Sequence, residues 1–403
     1  MRILYINKFF HILGGVERYF FDLAELMKNQ GHEIAFFSMK DERNKKSRWS
    51  KYFISNVSFE DKSINGRMRF LKRIFYSQEA RQKISQLLDY FEPDIVHLHD
   101  IYHHISPSIL LEIEKRKIPI VQTLGNYHLV SPNYNLFHDG KICEVIKKKR
   151  YYNAILHRCV KKSYLSSSIE VLEKYFHGKY INEEKLISKF ISPSRFLKDK
   201  LIEYGVAKDK IVTIPHFVKD NYYEFKGLRP YILYFGRLEE EKGLNFLLVV
   251  MQGLPHITLK IAGKGSLNKE LENKIKLNKL RNVKILGFCE GKELIKIIAG
   301  SRFTILPSLW YEVFGLSILE SFILNRTILA SRIGGIPEIM KNNINGMLFQ
   351  PGNIDDCARK ISILWQDNML LKRLENNAYK DAKNRFSEER HYQKLIKIYK
   401  NVI

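Results

Sequence analysis

Cysteine is scarce in this 403-residue sequence. The cysteines lie far apart, and none belongs to a Cys-x-x-Cys pair: Cys143, Cys159, Cys289 and Cys357. This spacing argues against a zinc ribbon and against a disulfide framework. Because disulfides are rare in the cytoplasm, unpaired cysteines without an export signal predict a cytoplasmic protein.

Long apolar runs are also missing. No stretch approaches the roughly 18 uninterrupted apolar residues that a membrane-spanning helix needs. The first residues, MRILYINKFF, hold a short apolar run that Asn7 and Lys8 interrupt. Such a run is typical of a first β-strand and not of a signal peptide. We therefore expect neither a spanning helix nor a leader.

Acidic residues are too few to balance the basic ones. The chain has 67 lysines and arginines against 43 acidic residues, which gives a formal net charge of +24. That charge alone allows a nucleic acid, an anionic lipid surface or a polyanionic substrate. The sequence has no RNA-binding glycine pattern, zinc-finger spacing or heptad-linked basic region, so we expect no nucleic-acid partner.

One basic segment has a helical pattern. Within residues 62–83, apolar and basic positions alternate at helical intervals: Ile64, Met68, Leu71 and Phe75, with Arg67, Lys72 and Arg73 between them. Such a helix can lie on an anionic membrane surface. The pattern fits equally well a helix that packs on the core and exposes its basic face to solvent.

The order of strands and helices predicts an α/β protein. The strand RILYI leads through Gly14 and Gly15 into a helix, and the strand EIAFF follows, as in a doubly wound parallel sheet. A second series of strands begins with YILYFGRL and continues through ITLKIAG, VKILGF, FTILP, TILAS and GMLF. We predict two Rossmann-like doubly wound domains with a ligand cleft at their interface.

Domain boundaries follow from the same pattern. The predicted parts are a first domain, a linker, a second domain and a final helix, over residues 1–217, 218–229, 230–384 and 385–403. Residues 127–180 are expected to form an insertion with helices and a mobile loop near 135–143. The first βα turn lacks the spaced three-glycine fingerprint, which disfavours the alternative of a nicotinamide-dependent oxidoreductase.

Residues 303–322, FTILPSLWYEVFGLSILESF, combine a strand, a polar loop and a helix. Gly315 lies where the helix begins, and the unpaired N–H groups and positive dipole end there favour an anion such as a diphosphate. Glu312 precedes the helix and Glu320 lies within it, where their carboxylates can accept hydrogen bonds from hydroxyls. A ligand with both groups is a sugar nucleotide. Two solvated glutamates are the alternative.

Further strand ends carry candidate ligand groups. In GRLEEEKG, Arg237 and Lys242 supply two cations that can neutralise a diphosphate. In IAGKGSL, Gly263 and Gly265 either admit a flat nucleobase or make a turn. The glycines of SRIGGIPEI, residues 331–339, either let that loop pass close to a ligand or serve packing.

Together these segments resemble the retaining glycosyltransferases of family 4, which have the GT-B fold. The resemblance covers nearly the whole chain and rests on GGVERY, GRLEEEKG, IAGKG, the Glu-x7-Glu motif from Glu312 to Glu320, ASRIGGIPEI and NGMLFQPG. It implies donor binding in the second domain, acceptor binding in the first, and a final helix that crosses back to the first domain. It implies no metal and no cofactor, since the nucleotide-diphosphate sugar is the donor substrate.

The resemblance also implies roles for single residues. Arg237 and Lys242 would bind the donor diphosphate, and Glu312 would meet the hydroxyls of the transferred sugar. These three residues would act in catalysis, and Glu320 would bind the ribose. The other donor-binding positions that it implies are Gly14, Gly15, Gly263, Phe314, Gly315 and Leu316.

One position departs from the family. Relatives usually have a histidine after the strand that matches IVQTL, where it contacts the sugar, whereas this chain has Gly125 in the stretch TLGNYH. A catalytically weak or inactive nucleotide-sugar-binding homologue is therefore the alternative. His128, His99 or His103 could substitute, although a histidine near a site is often structural.

The sequence thus predicts a retaining, metal-independent hexosyltransferase-type enzyme. It would move a sugar from a nucleotide-sugar donor to a lipid-linked or polysaccharide acceptor in cell-surface glycan biosynthesis, such as that of lipopolysaccharide or capsule. The net charge of +24 and the basic segment place it, as an expectation, at the inner face of the plasma membrane in peripheral contact with anionic lipid.

Overall fold

The structure, a computed structural model, describes residues 1–56, 64–220, 223, 225, 227 and 229–403. Within them the chain divides into two compact units. The first unit comprises Met1–Asn135, Glu144–Ile214 and Tyr392–Ile403, and the second comprises Leu136–Cys143 and Pro215–His391. Part of the predicted linker 218–229 lies outside the described residues.

Parallel strands form the sheet of the first unit. The first eight strands of the chain are β1 (Arg2–Ile6), β2 (Glu33–Phe37), β3 (Ile95–Leu98), β4 (Ile120–Thr123), β5 (Phe137–His138), β6 (Lys141–Ile142), β7 (Lys189–Ser192) and β8 (Ile211–Thr213). Their order in the sheet is β2-β1-β3-β4-β7-β8, while β5 and β6 form a separate antiparallel hairpin. The hairpin lies in the predicted loop 135–143, whose mobility stays a prediction.

Helices connect these strands, as parallel pairing requires. They are α1 (Gly15–Asn29), α2 (Ile64–Phe75), α3 (Gln78–Phe91), α4 (Leu110–Lys115), α5 (Tyr152–Leu156), α6 (Tyr164–Tyr180), α7 (Glu183–Leu186) and α8 (Arg195–Glu203). Short 3-10 helices occupy Arg48–Tyr52, Pro107–Ile109, Lys147–Lys149 and Lys208–Lys210. The strands read as continuous apolar runs because both faces of a parallel sheet are covered; Ile3, Leu4, Tyr5 and Ile6 are all fully buried.

The second unit repeats this design. Its strands are β9 (Tyr231–Phe235), β10 (Thr258–Ala262), β11 (Val283–Gly287), β12 (Phe303–Leu306), β13 (Ile328–Ser331) and β14 (Met347–Phe349), in the order β11-β10-β9-β12-β13-β14. The helices are α9 (Leu244–Gln252), α10 (Asn268–Leu277), α11 (Gly291–Ala299), α12 (Leu316–Ile323), α13 (Ile336–Ile339), α14 (Ile354–Gln366) and α15 (Asn368–Arg385), with a 3-10 turn at Glu240–Lys242. Two apolar clusters cover opposite faces of its sheet. The last helix, α16 (Glu388–Val402), begins in the second unit and ends in the first.

Both sheets have a switch point, where the order of the strands reverses. It lies between β1 and β3 in the first sheet and between β9 and β12 in the second. Ligands of doubly wound sheets bind beyond the carboxyl ends of the strands at this point. The prediction of two Rossmann-like doubly wound sheets is confirmed, and the switch points indicate where to look for a site.

The last turns of α16 belong to the first unit. Tyr399 is fully buried there, and its hydroxyl lies 3.1 Å from the hydroxyl of Tyr5 and 2.5 Å from Nδ1 of His97. The other ring nitrogen of His97 lies 2.8 Å from the hydroxyl of Thr123. Residues from β1, β3 and β4 therefore form a buried hydrogen-bonded chain with the end of the sequence.

The predicted basic face of α2 needs a correction. Arg73 was expected on an exposed face, but its guanidinium is buried and binds Ser55 and Glu79. Lys72 is exposed, as expected. The side chains of Ile64, Arg67 and Met68 lie outside the described residues, while those of Leu71 and Phe75 are half-buried.

None of the helices that the structure describes is long and apolar enough to cross a membrane.

Candidate functional site

The loops that follow β9 and β12 meet at the switch point of the second sheet. Although they are distant in sequence, β9 and β12 are hydrogen-bonded neighbours. The loop after β9 carries Arg237 and Lys242, and the loop after β12 carries Glu312 and Gly315. The fold therefore brings the predicted cations and the first predicted glutamate to one edge of one sheet.

Lys242 and Glu312 form a direct ion pair. Nζ of Lys242 lies 2.6 Å from Oε1 of Glu312, and the hydroxyl of Ser308 donates to the same oxygen at 2.6 Å. The ammonium group also lies 4.9 Å from the ring centre of Trp310, within cation–π range. The carboxylate is 4% exposed, so the two charges are held together with little water between them.

The environment of Glu312 keeps it ionised. Burial opposes the charged form, but the Lys242 ammonium and hydrogen bonds from Lys242, Ser308 and Trp310 outweigh it, and the pKa of Glu312 is lowered from its usual range. A carboxylate that stays ionised can accept hydrogen bonds from sugar hydroxyls and can orient the lysine ammonium.

Arg237 has a different partner. Its guanidinium, on the exposed edge of the loop, lies 3.0 Å from Oε1 of Glu241, while the hydroxyl of Tyr234 donates to its backbone carbonyl at 2.6 Å. Glu241 itself is buried, and its carbonyl accepts from the N–H of Leu309 at 2.9 Å. The sequence did not predict that each cation of the site would have its own carboxylate.

Several glycines are required by close contacts between loops. A Cβ on Gly243, where φ is +72°, would lie 1.9 Å from the carbonyl oxygen of Pro307. A Cβ on Gly263, where φ is +151°, would lie 1.9 Å from the carbonyl oxygen of Gly236, and one on Gly265 would lie 2.3 Å from that of Leu238. These contacts explain why the loops need glycine at these positions, and a nucleobase beside Gly263 stays a prediction.

The loop of residues 331–339 also packs on Glu312. The N–H of Gly335 donates to the carbonyl of Glu312 at 2.7 Å, and a Cβ on Gly334 would lie 2.4 Å from that same oxygen. Of the two predicted roles for these glycines, the structure supports packing. The loop fixes the backbone that carries the Glu312 carboxylate.

Helix α12 begins where the sequence predicted. Gly315, with φ at +96°, is the residue before its first turn, and Leu316 is its first residue. Glu320 is half-buried in the second turn. Phe314 is buried, and its ring packs 5.1 Å from that of His216, so the position can offer a ligand only its backbone.

Gly14 and Gly15 lie at the switch point of the first sheet. Gly14 precedes α1, and its N–H donates to Oε2 of Glu17 at 3.0 Å, while Gly15 is exposed. Burial raises the pKa of Glu17, the Coulomb effect of Lys8 opposes that shift and the effect of Asp100 adds to it. The sequence missed Glu17, although its place in the first turn of a helix was a signal.

Gly125 lies beside the same switch point. A Cβ there would lie 2.9 Å from Cγ2 of Val16 and 3.8 Å from Oδ1 of Asp100. Asp100 in turn accepts from the amide of Asn126 at 3.3 Å and lies 3.7 Å from Nζ of Lys8. Val16 thus occupies part of the space into which a side chain at position 125 would grow.

The three histidines that could substitute for the missing one are enclosed within the unit. The ring of His99 is stacked 4.8 Å from that of His97, and burial lowers its pKa to about 3. The ring of His128 is stacked 3.6 Å from that of Tyr102, and burial lowers its pKa. His103 lies between two carboxylates of α6.

Those carboxylates complete a cluster that the sequence did not predict. His103, His128, Glu170 and Glu173 direct one nitrogen or oxygen each to within 4.8 Å of one another. We call these four residues the His–Glu cluster. Its members come from the loops after β3 and β4 and from α6, so only the spacing of Glu170 and Glu173 on one helix face was visible in the sequence.

Models of two glycosyltransferase families match the chain over adjoining ranges. A family model described as "Glycosyltransferase Family 4" matches residues 13–222, and one described as "Glycosyl transferases group 1" matches residues 219–381. Among curated proteins, an uncharacterised glycosyltransferase of Methanocaldococcus jannaschii is 24% identical over 96% of this chain and 95% of its own. An uncharacterised protein from the cps region of Klebsiella pneumoniae is 24% identical over 90% of this chain and 96% of its own.

Solved structures share the fold at low identity. Anabaena HepE in complex with UDP and glucose has a TM-score of 0.72 at 17% identity, with all of both chains covered. A glycosyltransferase from Rickettsia africae has a TM-score of 0.70 at 21% identity, covering 100% of this chain and 98% of its own. At such identities the similarity concerns the fold alone.

Proposed function

The chain belongs to glycosyltransferase family 4 and has the GT-B fold, and from this premise we propose the reaction that it catalyses. It transfers a sugar, with retention of configuration, from a nucleotide-sugar donor to a lipid-linked or polysaccharide acceptor of a cell-surface glycan. The observation that carries this proposal is the buried Lys242–Glu312 pair beside the N-terminus of α12.

Charge in the second unit suits a departing diphosphate. An ammonium group has three N–H donors, so Lys242 can keep its bond to Glu312 while it donates to a phosphate oxygen. The guanidinium of Arg237 is exposed at the same edge, and the N-terminus of α12 adds unpaired N–H groups and a positive dipole end. Charge that develops on the leaving group is stabilised without a metal ion.

The transfer step needs no protein base in this proposal. The bond between the sugar C1 and the diphosphate oxygen breaks, and the acceptor hydroxyl oxygen bonds to C1 on the same face. The proton of the acceptor hydroxyl moves to the departing diphosphate. Glu312, kept ionised by its partners, accepts hydrogen bonds from the hydroxyls of the transferred sugar, and Glu320 accepts from the ribose.

Similar proteins support a donor and a setting to test first. HepE of Anabaena has also been solved with UDP-glucose, which makes uridine diphosphate sugars the first donors to test. The Klebsiella relative is described only by its place in a cps region, which favours a polysaccharide acceptor. Both points come to this chain by similarity.

The test is donor binding by titration calorimetry across a panel of sugar nucleotides, with transfer to membrane lipid extracts measured in parallel. We expect Lys242→Ala and Glu320→Ala each to weaken donor binding at least tenfold, because each removes a direct contact. Lys292→Ala is the control, since this exposed lysine lies on α11. Unchanged binding and turnover in both site variants would refute the assignment.

A donor-binding protein with weak transfer is the second candidate. Gly125 supports it, because a side chain there is limited by Val16, and His99 and His128 nearby are buried. Robust turnover by the unaltered chain would remove this candidate. Tight donor binding with very slow transfer would favour it.

We also propose peripheral contact with an anionic membrane at the cytoplasmic face, through α6 and the turn before it. Tyr164, Leu165 and Leu172 are large apolar residues that are 59%, 72% and 58% exposed. Lys161 and Lys162 are exposed beside them. Apolar side chains flanked by lysines are typical of surfaces that enter the headgroup region of anionic bilayers.

Sedimentation with vesicles tests this contact. Leu165→Ser with Leu172→Ser is expected to reduce binding to phosphatidylglycerol vesicles several-fold, because two apolar side chains that would enter the membrane are lost. Leu277→Ser is the control, since that residue is 80% exposed in the second unit. If the Leu165→Ser, Leu172→Ser variant bound vesicles as well as the unaltered chain, the proposed contact through α6 would be refuted.

A further inference from the structure

The His–Glu cluster has the composition of a transition-metal site. Two imidazoles and two carboxylates converge within 4.8 Å. Imidazole nitrogen suits zinc, copper, iron and nickel, while a site for calcium or magnesium would be built from oxygen alone. Zinc accepts both nitrogen and carboxylate ligands, and four of them complete its tetrahedral shell.

Polar atoms of the cluster are buried and lack hydrogen bonds. Glu173 is 1% exposed, and neither of its carboxylate oxygens has a hydrogen-bond partner among the residues that the structure describes. The same holds for Nδ1 of His128, which is 2% exposed. Nδ1 of His103 lies 2.9 Å from Oε2 of Glu173, but the two are not aligned as a hydrogen bond. Buried polar groups in native proteins are normally satisfied, so these atoms point to a missing partner.

His103 has the surroundings of a metal ligand. Its Nε2 lies 3.3 Å from Oε2 of Glu170, and its Nδ1 faces Glu173. Bonds of about 2 Å place the ligands of a tetrahedral zinc roughly 3.3 Å apart, so this spacing already matches.

The charges around the cluster leave room for a divalent cation. Glu183 is a further buried carboxyl group nearby, its Oε1 lying 3.9 Å from Nδ1 of His177. Lys174 is a buried cation of the same helix. Carboxyl groups outnumber this buried ammonium, and buried negative charge is costly unless it is compensated. A divalent ion supplies that compensation.

We propose that His103, His128, Glu170 and Glu173 bind one zinc ion that fastens α6 to the loops after β3 and β4. With four protein ligands the site is closed, so the metal is structural and takes no part in transfer. The loop after β4 also carries Gly125, and the metal therefore fixes the backbone beside the first switch point. This proposal opposes our expectation from the sequence that the protein holds no metal.

Metal analysis of the full chain, purified without a histidine tag and without chelator, tests the proposal. We expect about one zinc per chain and, after exchange with cobalt, the intense visible absorption of a tetrahedral site. Chelation should lower Tm by several degrees, and zinc but not magnesium should restore it, because a ligand that binds only the folded state stabilises it.

Variants locate the ion. His128→Gln and Glu170→Gln should each reduce the zinc content to below about one fifth. His157→Gln is the matched control, because this exposed histidine lies on the turn that follows α5. If a cluster variant fails to fold, the metal content and chelator response of the unaltered chain still decide the matter. Folded protein with less than about a tenth of an equivalent of zinc, no cobalt spectrum and no response of Tm to zinc would overturn the proposal.

Discussion

The two switch points present different charges to a ligand. In the second unit, Glu312 touches Lys242 at 2.6 Å, and Arg237 lies at the same edge. In the first unit, Asp100 lies 3.7 Å from Lys8, and Glu17 is buried without an ion pair of its own among the described residues. One sheet end is therefore rich in paired cations and the other in carboxylates.

Under the proposed function, this difference suits two different substrates. Paired cations and a helix N-terminus suit the diphosphate of a donor. Carboxylates with few cations repel phosphate and accept hydrogen bonds from hydroxyls, which suits an acceptor sugar. The pKa of Glu312 is lowered and that of Glu17 is raised, so the same side chain has opposite proton affinity at the two sites.

Substitution of Lys242 and of Lys8 should give the largest difference in stability between the two switch points. Lys242→Met leaves Glu312 as a buried unpaired charge, and we expect the free energy of unfolding to fall by about 3 kcal/mol. Lys8→Met loses a longer and partly exposed contact, for which we expect less than about 1 kcal/mol. Urea denaturation followed by tryptophan fluorescence measures both.

A double variant supplies the control for that experiment. Glu312→Gln in the Lys242→Met background removes the unpaired charge, so it should recover most of the lost stability. If Lys242→Met and Lys8→Met had equal effects, the contrast between the two switch points would not hold.

A histidine at position 125 should alter the first switch point. Gly125→His alone crowds Val16, and we expect a loss of about 1–3 kcal/mol of stability from overpacking. Val16→Ala in the same chain should relieve most of that loss. If the family resemblance holds for this position, the double variant should also transfer sugar faster than the unaltered chain, as measured by product formation from the donor.

The matched control is Val16→Ala by itself. It should lose stability slightly and gain no activity, since it adds no group that can contact a sugar. Faster transfer by this single variant would assign the gain to space and not to the imidazole.

The smallest expected effect is a difference in pH dependence. A carboxyl whose folded pKa is lowered stabilises the protein above its unfolded pKa of 4.5, and this contribution of Glu312 is lost as the pH falls through the lower folded value. A carboxyl whose folded pKa is raised acts oppositely, so the contribution of Glu17 is largest below pH 4.5 and is lost as the pH rises through the raised value.

Melting curves between about pH 3 and 8 check both signs. The difference in Tm between the unaltered chain and Glu312→Gln should grow as the pH rises from its acid end. The difference between the unaltered chain and Glu17→Gln should shrink over the same range. Parallel curves would show that the two carboxyls do not differ in proton affinity.

Local patterns in the sequence predicted much of the fold and of the site at the second switch point. Apolar runs marked the strands, Gly315 marked the start of a helix, and the spacing of Arg237 and Lys242 marked a loop at a strand end. Each of these signals depends on neighbours within a few residues. The resemblance added which loops face the same ligand, and the structure brings Lys242 and Glu312 into contact.

What the sequence did not predict depends on pairing between distant segments. The His–Glu cluster joins two loops and a helix, and no local period connects His103 to Glu173. No local pattern in GRLEEEKG distinguished Glu241, which the sheet order places against the loop after β12. The spacing of Arg73 in the sequence predicted an exposed side chain, but its guanidinium is buried because it binds Glu79 and Ser55.

The buried hydroxyl of Tyr399 has a consequence for the order of events during synthesis. Its hydrogen-bonded partners, Tyr5 and His97, leave the ribosome long before it does. The core of the first unit therefore stays incomplete while the whole second unit is translated. After Ile214 the nascent first unit must wait for about 185 further residues before Tyr399 is added, which at about 5–20 residues per second takes roughly 10–40 seconds and leaves its core open to chaperones during that time.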